Sequence, residues 1–344
     1  MNIQFDTLMR KETLESPEVL EIQLSENQQL LDELAQFLNQ KNPYSIVTVA
    51  RGSSDHASQF LNFLTNIKMQ KLTTSLSMSA ITLYESKIDV SKSLGIAISQ
   101  SGQSPDLRIP IEYMKSNNAP TISIVNDKNS PLAKISEWCI PLKAGPEQSV
   151  AATKSFMASL FASASLISTW KNDLELTRGL HHLPEDLYKA QKLDWTPGIT
   201  KLLDAKKIMI VGRGYGLSLA LECALKLKET CGIQAEAFSA AEIMHGPQVL
   251  INKDYPLFIF ATRGPGLIKL LELADTMKQR GANVILAAPN FVKEKDLEIQ
   301  SSHSEELDIL TAIQSFYLMA EELSRNLGLN PDKPLHLSKV TLTN

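Results

Sequence analysis

The sequence predicts an α/β protein made of two similar open parallel sheets, each covered by helices on both faces. Three β-branched runs in the first half carry this reading: Ser45–Ala50, Leu94–Ser99 and Thr121–Val125. Near-continuous Val/Ile runs separated by longer helical patterns are what a doubly covered parallel sheet produces. The second half repeats them at Ile208–Val211, Leu257–Ala261 and Asn283–Ala287. Val49, Ile98 and Ile124 map onto Val211, Phe260 and Leu286 by a single shift of 162 positions. One offset across three strands marks an internal repeat.

Taken in order, residues 1–36 read as an N-terminal helical segment and 37–195 as the first domain. Residues 196–330 form the second domain and 331–344 an irregular tail. The stretch around 171–200, amphipathic and with two prolines, joins the halves. Phe156–Trp170 is long and aliphatic but diluted by Ser159, Ser163, Ser165 and Ser168, which predicts a closely packed buried helix rather than a membrane span.

The chain's 344 residues, 43% of them hydrophobic, suffice for two domains and exclude disorder or a miniature stapled scaffold. With 34 basic against 38 acidic side chains, no cation excess exists to neutralise a polyphosphate backbone, so nucleic acid is not expected as a partner. Cys139, Cys223 and Cys231 are odd in number and lack C-x-x-C spacing, which indicates neither a disulfide framework nor a zinc knuckle. The opening residues hold no apolar core of signal-peptide length, and the expectation is a soluble, unprocessed, cytoplasmic protein without membrane contact.

In open parallel sheets ligands sit beyond the carboxyl ends of the strands. Ser99-Gln-Ser-Gly-Gln-Ser-Pro-Asp106 begins at such an end, and Ser104-Pro105-Asp106 has the grammar of a helix start. Ser99, Gln100, Ser101 and Ser104 would add neutral donors at a point favourable to negative charge, a cradle for a phosphomonoester. The alternative is that Ser104 only caps its own helix and the other serines satisfy the turn. The glycine-rich loop Gly212-Arg-Gly-Tyr-Gly216 has G-x-G-x-G spacing and no acidic residue ending a following strand, so it reads as a tight strand-to-helix turn and not a dinucleotide site.

On the apolar run Leu217–Thr230, Glu222, Lys226 and Glu229 fall at i, i+4 and i+7 and make one stripe. That stripe is either a solvated edge or the wall of a cleft where a carboxylate moves a proton between adjacent sugar carbons. His245, at a Gly-Pro helix stop, is either structural or a group that opens a hemiacetal ring. Lys339 is either a surface lysine or an amine that faces a carbonyl.

These segments together resemble the sugar isomerase (SIS) family, most closely the isomerase half of glucosamine-6-phosphate synthase. The resemblance runs from Leu8-Met-Arg-Lys-Glu12 through Arg51-Gly-Ser-Ser54, Ile98-Ser-Gln-Ser-Gly102, Ala144-Gly-Pro-Glu147 and Ala152-Thr-Lys-Ser-Phe156. It continues through Ala224-Leu-Lys-Leu-Lys-Glu229, Ala235-Glu-Ala-Phe-Ser239, His245-Gly-Pro247 and Lys333-Pro-Leu-His-Leu-Ser-Lys339. It implies two five-stranded, flavodoxin-like domains. It also implies that Ser54, Ser99, Gln100, Ser101 and Ser104 hold a sugar 6-phosphate and that Val150 lines the sugar. Glu229 would shuttle the proton between C1 and C2, with Lys226 beside it. His245 would open the ring from the neighbouring subunit of a homodimer, and Lys339 would face the carbonyl from the tail.

Two departures shape the expected reaction. The sequence has no room for the synthase's glutaminase domain and no cysteine before Cys139, so on this reading glutamine is not the ammonia source. Gln103 and Ser104 stand where the family commonly has Glu and Thr. The resemblance then points to the isomerase-fold glucosamine-6-phosphate deaminases, which hydrolyse glucosamine 6-phosphate to fructose 6-phosphate and ammonium without metal or redox cofactor. Rival readings are a galactosamine 6-phosphate deaminase-isomerase, a fructosamine 6-phosphate deglycase, a simple phosphosugar isomerase, and a non-catalytic phosphosugar sensor.

Overall fold

A computed structural model describes residues 7–339 of the chain. They fall into two compact units, each with its own sheet. The first unit comprises Glu18–Glu147 and Lys154–His181; the second takes the described residues up to Pro17, Gln148–Thr153 and His182–Lys339.

In the first unit, strands β1 (Ser45–Val49), β2 (Leu72–Ser75), β3 (Ser93–Ser99), β4 (Thr121–Val125) and β5 (Trp138–Pro141) form a parallel sheet in the order β2-β1-β3-β4-β5. In the second, β6 (Lys207–Gly212), β7 (Gln234–Ser239), β8 (Pro256–Phe260), β9 (Asn283–Pro289) and β10 (Leu297–Ile299) form the order β10-β9-β8-β6-β7. This is the same arrangement read from the opposite edge, so the predicted α/β class with two parallel five-stranded sheets holds.

The repeat extends to register. Ser45 pairs with Ser93 across β1 and β3, and Met209 pairs with Leu257 across β6 and β8, a separation of 48 residues in both. The turns leaving β1 and β6 share one backbone geometry: Gly52 has φ 53° and ψ −134°, Gly214 φ 57° and ψ −129°. An L side chain is strained there, which is why each turn carries glycine immediately before its helix.

The six strands legible in the sequence are the three inner strands of each sheet. The four others, β2, β5, β7 and β10, are the edges. Their sequences LTTS, WCIP, QAEAFS and LEI are short or polar. An edge strand pairs on one side and is partly wet, so it lacks the continuous β-branched signature.

Helix Lys154–Lys171 is buried along nearly its whole length in the first unit, packed against helices Ser53–Leu64 and Gln28–Lys41. Its serines give the close approach expected from the sequence, and Ser159 returns its hydroxyl to the Ser155 carbonyl at 2.8 Å. Among the described residues no helix is long and apolar enough to cross a membrane.

A Cβ at Gly214 would meet no atom within 4 Å, so replacing it with alanine tests backbone strain alone. Gly214→Ala should lower stability by about 1–3 kcal/mol, read as a lower urea midpoint; an unchanged midpoint would show that the turn has another conformation.

Candidate active site

The order β2-β1-β3 places the switch point of the first sheet between β1 and β3, where the chain leaves in opposite directions and a crevice opens at the carboxyl edge. The predicted serines sit at that edge. Ser99 is the last residue of β3, Gln100 to Ser104 lead into helix Pro105–Ser116, and Ser54 lies in the first turn of helix Ser53–Leu64 after β1.

The loop holds its own shape. The Ser99 hydroxyl accepts from the Gly102 N–H at 3.0 Å, and the Gly102 carbonyl accepts from the Leu132 N–H at 3.2 Å. Gly102 has φ +64°, and a Cβ there would lie 2.2 Å from the Ser130 hydroxyl. The two loops after β3 and β4 are therefore in van der Waals contact, which only glycine allows. Ser104 occupies the N-cap, yet its hydroxyl makes no cap bond to the helix.

A charged pair also belongs to this edge. Arg51, just after β1, donates from Nε to Asp106 Oδ2 at 2.9 Å, and Asp106 is buried in the first turn of helix Pro105–Ser116. The pair ties the two crevice loops together. With its side chain 55% exposed, Arg51 brings a guanidinium to a cradle that the sequence presents as neutral.

The corresponding loop of the second unit is built differently. Gly264 stands 162 residues after Gly102, and a Cβ on it would lie 3.3 Å from a Glu305 carboxylate oxygen. Arg263 beside it is consumed by Asp308, at 2.7 and 2.6 Å, and by the Ser302 carbonyl at 2.7 Å. A carboxylate over the turn repels an anion. Of the two repeated loops, the serine-rich one is suited to phosphate.

Helix Tyr215–Cys231 carries the predicted charged stripe, and the stripe is not a solvated edge. Glu222 and Lys226 are buried, the lysine side chain being 1% exposed. The Lys226 ammonium lies 3.5 Å from Glu222 Oε1 and donates to Glu229 Oε2. Tyr317, on helix Asp308–Asn326, donates its hydroxyl to Glu222 at 3.0 Å. One buried cation thus stands between two carboxylates. Glu229 is the member that meets solvent, with its side chain 22% exposed. It lines a pocket of ≈ 360 Å³ with Lys228, Thr230 and the tail residues Lys333, Pro334 and Leu335.

His245 is exposed after the short helix Ala240–Ile243 and lines a different pocket, of ≈ 440 Å³, with Arg213 and Lys269. Val150 belongs to the Gln148–Thr153 stretch of the second unit, and its N–H donates to the Asp332 carbonyl at 3.2 Å. Lys339 ends the described chain, four residues beyond Leu335. Within the second unit the structure thus joins Glu229, Lys226 and the start of the tail, and it puts His245 on another wall.

Burial pushes the Cys223 thiol well above its ordinary range and the Cys231 thiol up to about 11.

Comparison with known proteins agrees with this fold. The model of the SIS domain matches residues 37–169 and 201–320. The chain belongs to the SIS family. A glutamine–fructose-6-phosphate aminotransferase (isomerizing) of Sulfurisphaera tokodaii is 32% identical over 341 residues, covering 96% of this chain and 56% of the relative. This SIS chain thus spans about half the length of the curated relatives it matches. A solved candidate phosphosugar isomerase from Silicibacter pomeroyi DSS-3 is 35% identical with a TM-score of 0.90, over 95% of this chain and all of that one. The C-terminal domain of glucosamine-fructose-6-phosphate aminotransferase from Francisella tularensis is 26% identical with a TM-score of 0.86, over 97% and 100%.

Three residues escape sequence reasoning: Arg51 and Asp106 at the edge of the first sheet, and Tyr317 beside the charged stripe of the second unit. Arg51 and Asp106 lie in quoted motifs but show no spacing that marks them as partners. Tyr317 comes from a helix that begins 77 residues after Cys231, and only packing brings it to Glu222.

Two mutations separate loop from network. Gly102→Ala should displace the turn by its clash, at a cost above about 1.4 kcal/mol, and so weaken an anion held at this loop about tenfold or more; titration calorimetry with inorganic phosphate checks this, and unchanged affinity would place phosphate elsewhere. Lys226→Met leaves two carboxylates around an uncharged side chain and should cost about 3–5 kcal/mol, far more than Glu229→Gln at the wet end of the chain. Equal denaturation midpoints for the two variants would contradict the buried charge balance.

Proposed function

We propose that this SIS protein is an aldose-ketose enzyme for hexosamine 6-phosphates and that its reaction is the deamination of glucosamine 6-phosphate. The observation that carries the reading is Glu229, a carboxylate bonded to a buried ammonium and lining a pocket together with Lys333, Pro334 and Leu335. A base so held is oriented, and its pocket side is open to a substrate carbon.

In this reading Ser54, Ser99, Gln100, Ser101 and Ser104 grip the 6-phosphate, and Val150 lines the sugar. His245, supplied by the neighbouring subunit of a homodimer, passes a proton from the anomeric hydroxyl to O5 and opens the ring. His245 lines a different pocket from Glu229, so this reading requires it to reach the substrate from the neighbouring subunit. Glu229 then takes the C2 proton, leaving an enolamine across C1 and C2, and returns a proton to C1. The nitrogen at C2 becomes a protonated imine. Water adds to C2, ammonia leaves as ammonium, and the ketone of fructose 6-phosphate remains. Lys226 holds Glu229 in place through the transfer. Lys339 faces the carbonyl from the tail and stabilises its oxygen at C1.

The curated relatives take their nitrogen from glutamine, as their names state. The chemistry at C1 and C2 is the same in either direction; what differs is whether ammonia is supplied or released. The reading places this chain on the releasing side.

The direct test gives the purified protein glucosamine 6-phosphate alone and measures ammonium and fructose 6-phosphate together. Equal amounts of the two are expected, and a protein that binds the substrate without releasing either would end the proposal. Glucosamine 6-phosphate should also release ammonium faster than galactosamine 6-phosphate or a phosphorylated fructosamine in the same assay. Glu229→Gln should slow turnover about 100-fold or more, the usual loss of a positioned base, and wild-type turnover in that variant would refute its role.

A further inference from the structure

Three stretches far apart in the sequence meet at one residue of the second unit. Asp332 accepts the Leu8 N–H on Oδ2 at 2.8 Å and the Met9 N–H on Oδ1 at 2.7 Å. Its backbone carbonyl accepts the Val150 N–H at 3.2 Å. One turn along helix Leu8–Leu14, buried Glu12 accepts the N–H groups of Gln148 and Ser149, the latter at 3.2 Å. The contacts close a ring: the N-terminal helix, Asp332, the stretch 148–150, Glu12 and back to the helix. Charged acceptors on backbone amides are among the stronger and more directional hydrogen bonds.

We infer that Asp332 is a positioning residue for the reaction, which sets both the Val150 loop and the tail through this ring. The inference rests on the reading proposed above. Lys333, Pro334 and Leu335, immediately after Asp332, line the Glu229 pocket, and Lys339 follows seven residues beyond the clamp. A tail fixed at one end by two carboxylate bonds has few ways to present its residues to that pocket. The same residue's carbonyl fixes the loop assigned to the sugar. Neither group touches the reacting atoms; both decide where the groups that do are held, and errors of about 1 Å in such placement cost up to about 100-fold in rate.

The test compares Asp332→Asn and Asp332→Ala with wild type. Asparagine keeps one accepting oxygen and turns a donating amide NH2 toward the other N–H; alanine removes both acceptors. Amide exchange at Leu8, Met9 and Val150 should quicken in the order wild type, Asn, Ala. The kcat for ammonium release should fall about tenfold or more in the alanine variant, while inhibition by inorganic phosphate, assigned to the serine loop, stays within about twofold of wild type. If the alanine protein does not fold, the asparagine variant gives the same comparison.

Unchanged exchange at the three amides overturns the inference. So does faster exchange with wild-type kcat, or an equal loss of phosphate inhibition, which would mark general damage. Should wild type itself release no ammonium, the functional reading fails separately. Exchange at Val150 then decides the ring alone: quickening supports it and constancy overturns it.

Discussion

A lysine ammonium buried in a protein interior must find negative charge, because desolvating it alone costs several kcal/mol. Lys226 meets that demand with Glu222 on one side and Glu229 on the other, all on the single helix Tyr215–Cys231. Spacing along the helix brings the three together, and packing of helix Asp308–Asn326 seals them with the Tyr317 hydroxyl. Two carboxylates share one cation, so the inner one is anchored and the outer one is held at a pocket wall. The proposed chemistry grows from this imbalance: an oriented carboxylate whose open side belongs to a substrate.

The repeat shows how one fold acquires two different edges. Backbone geometry is conserved between the halves, down to the glycine turns at Gly52 and Gly214. Side chains at the second repeated turn are not. Gly102 backs onto the Ser130 hydroxyl, whereas Gly264 backs onto the Glu305 carboxylate, beside the Arg263–Asp308 pair. The fold supplies a strand-to-helix turn twice, and the local charge makes only one of them hospitable to an anion.

Much of this was legible in the sequence because burial leaves a period. The inner strands are apolar on both faces and announce themselves; β2, β5, β7 and β10 are edges and do not. The offset of 162 could be read because it relates inner strands whose register is set by the buried core. At the site, the motif residues fell where strand ends and helix starts predict, including Ser99 and Ser104. The stripe Glu222, Lys226, Glu229 could be read as a stripe but not as a buried one, since its cover is Tyr317 on a distant helix. Arg51 with Asp106, and Asp332 with Leu8 and Met9, were invisible for the same reason: each is a pair made by tertiary contact and not by spacing.

Glucosamine 6-phosphate carrying deuterium at C2 reports whether hydrogen leaves that carbon, as the role proposed for Glu229 requires. Deuterium should leave C2 in every turnover, appearing at C1 of fructose 6-phosphate or in water, with a primary isotope effect on the rate. Ammonium released from a product that still holds deuterium at C2 would contradict it, because nitrogen would then have left without any proton transfer between the two carbons.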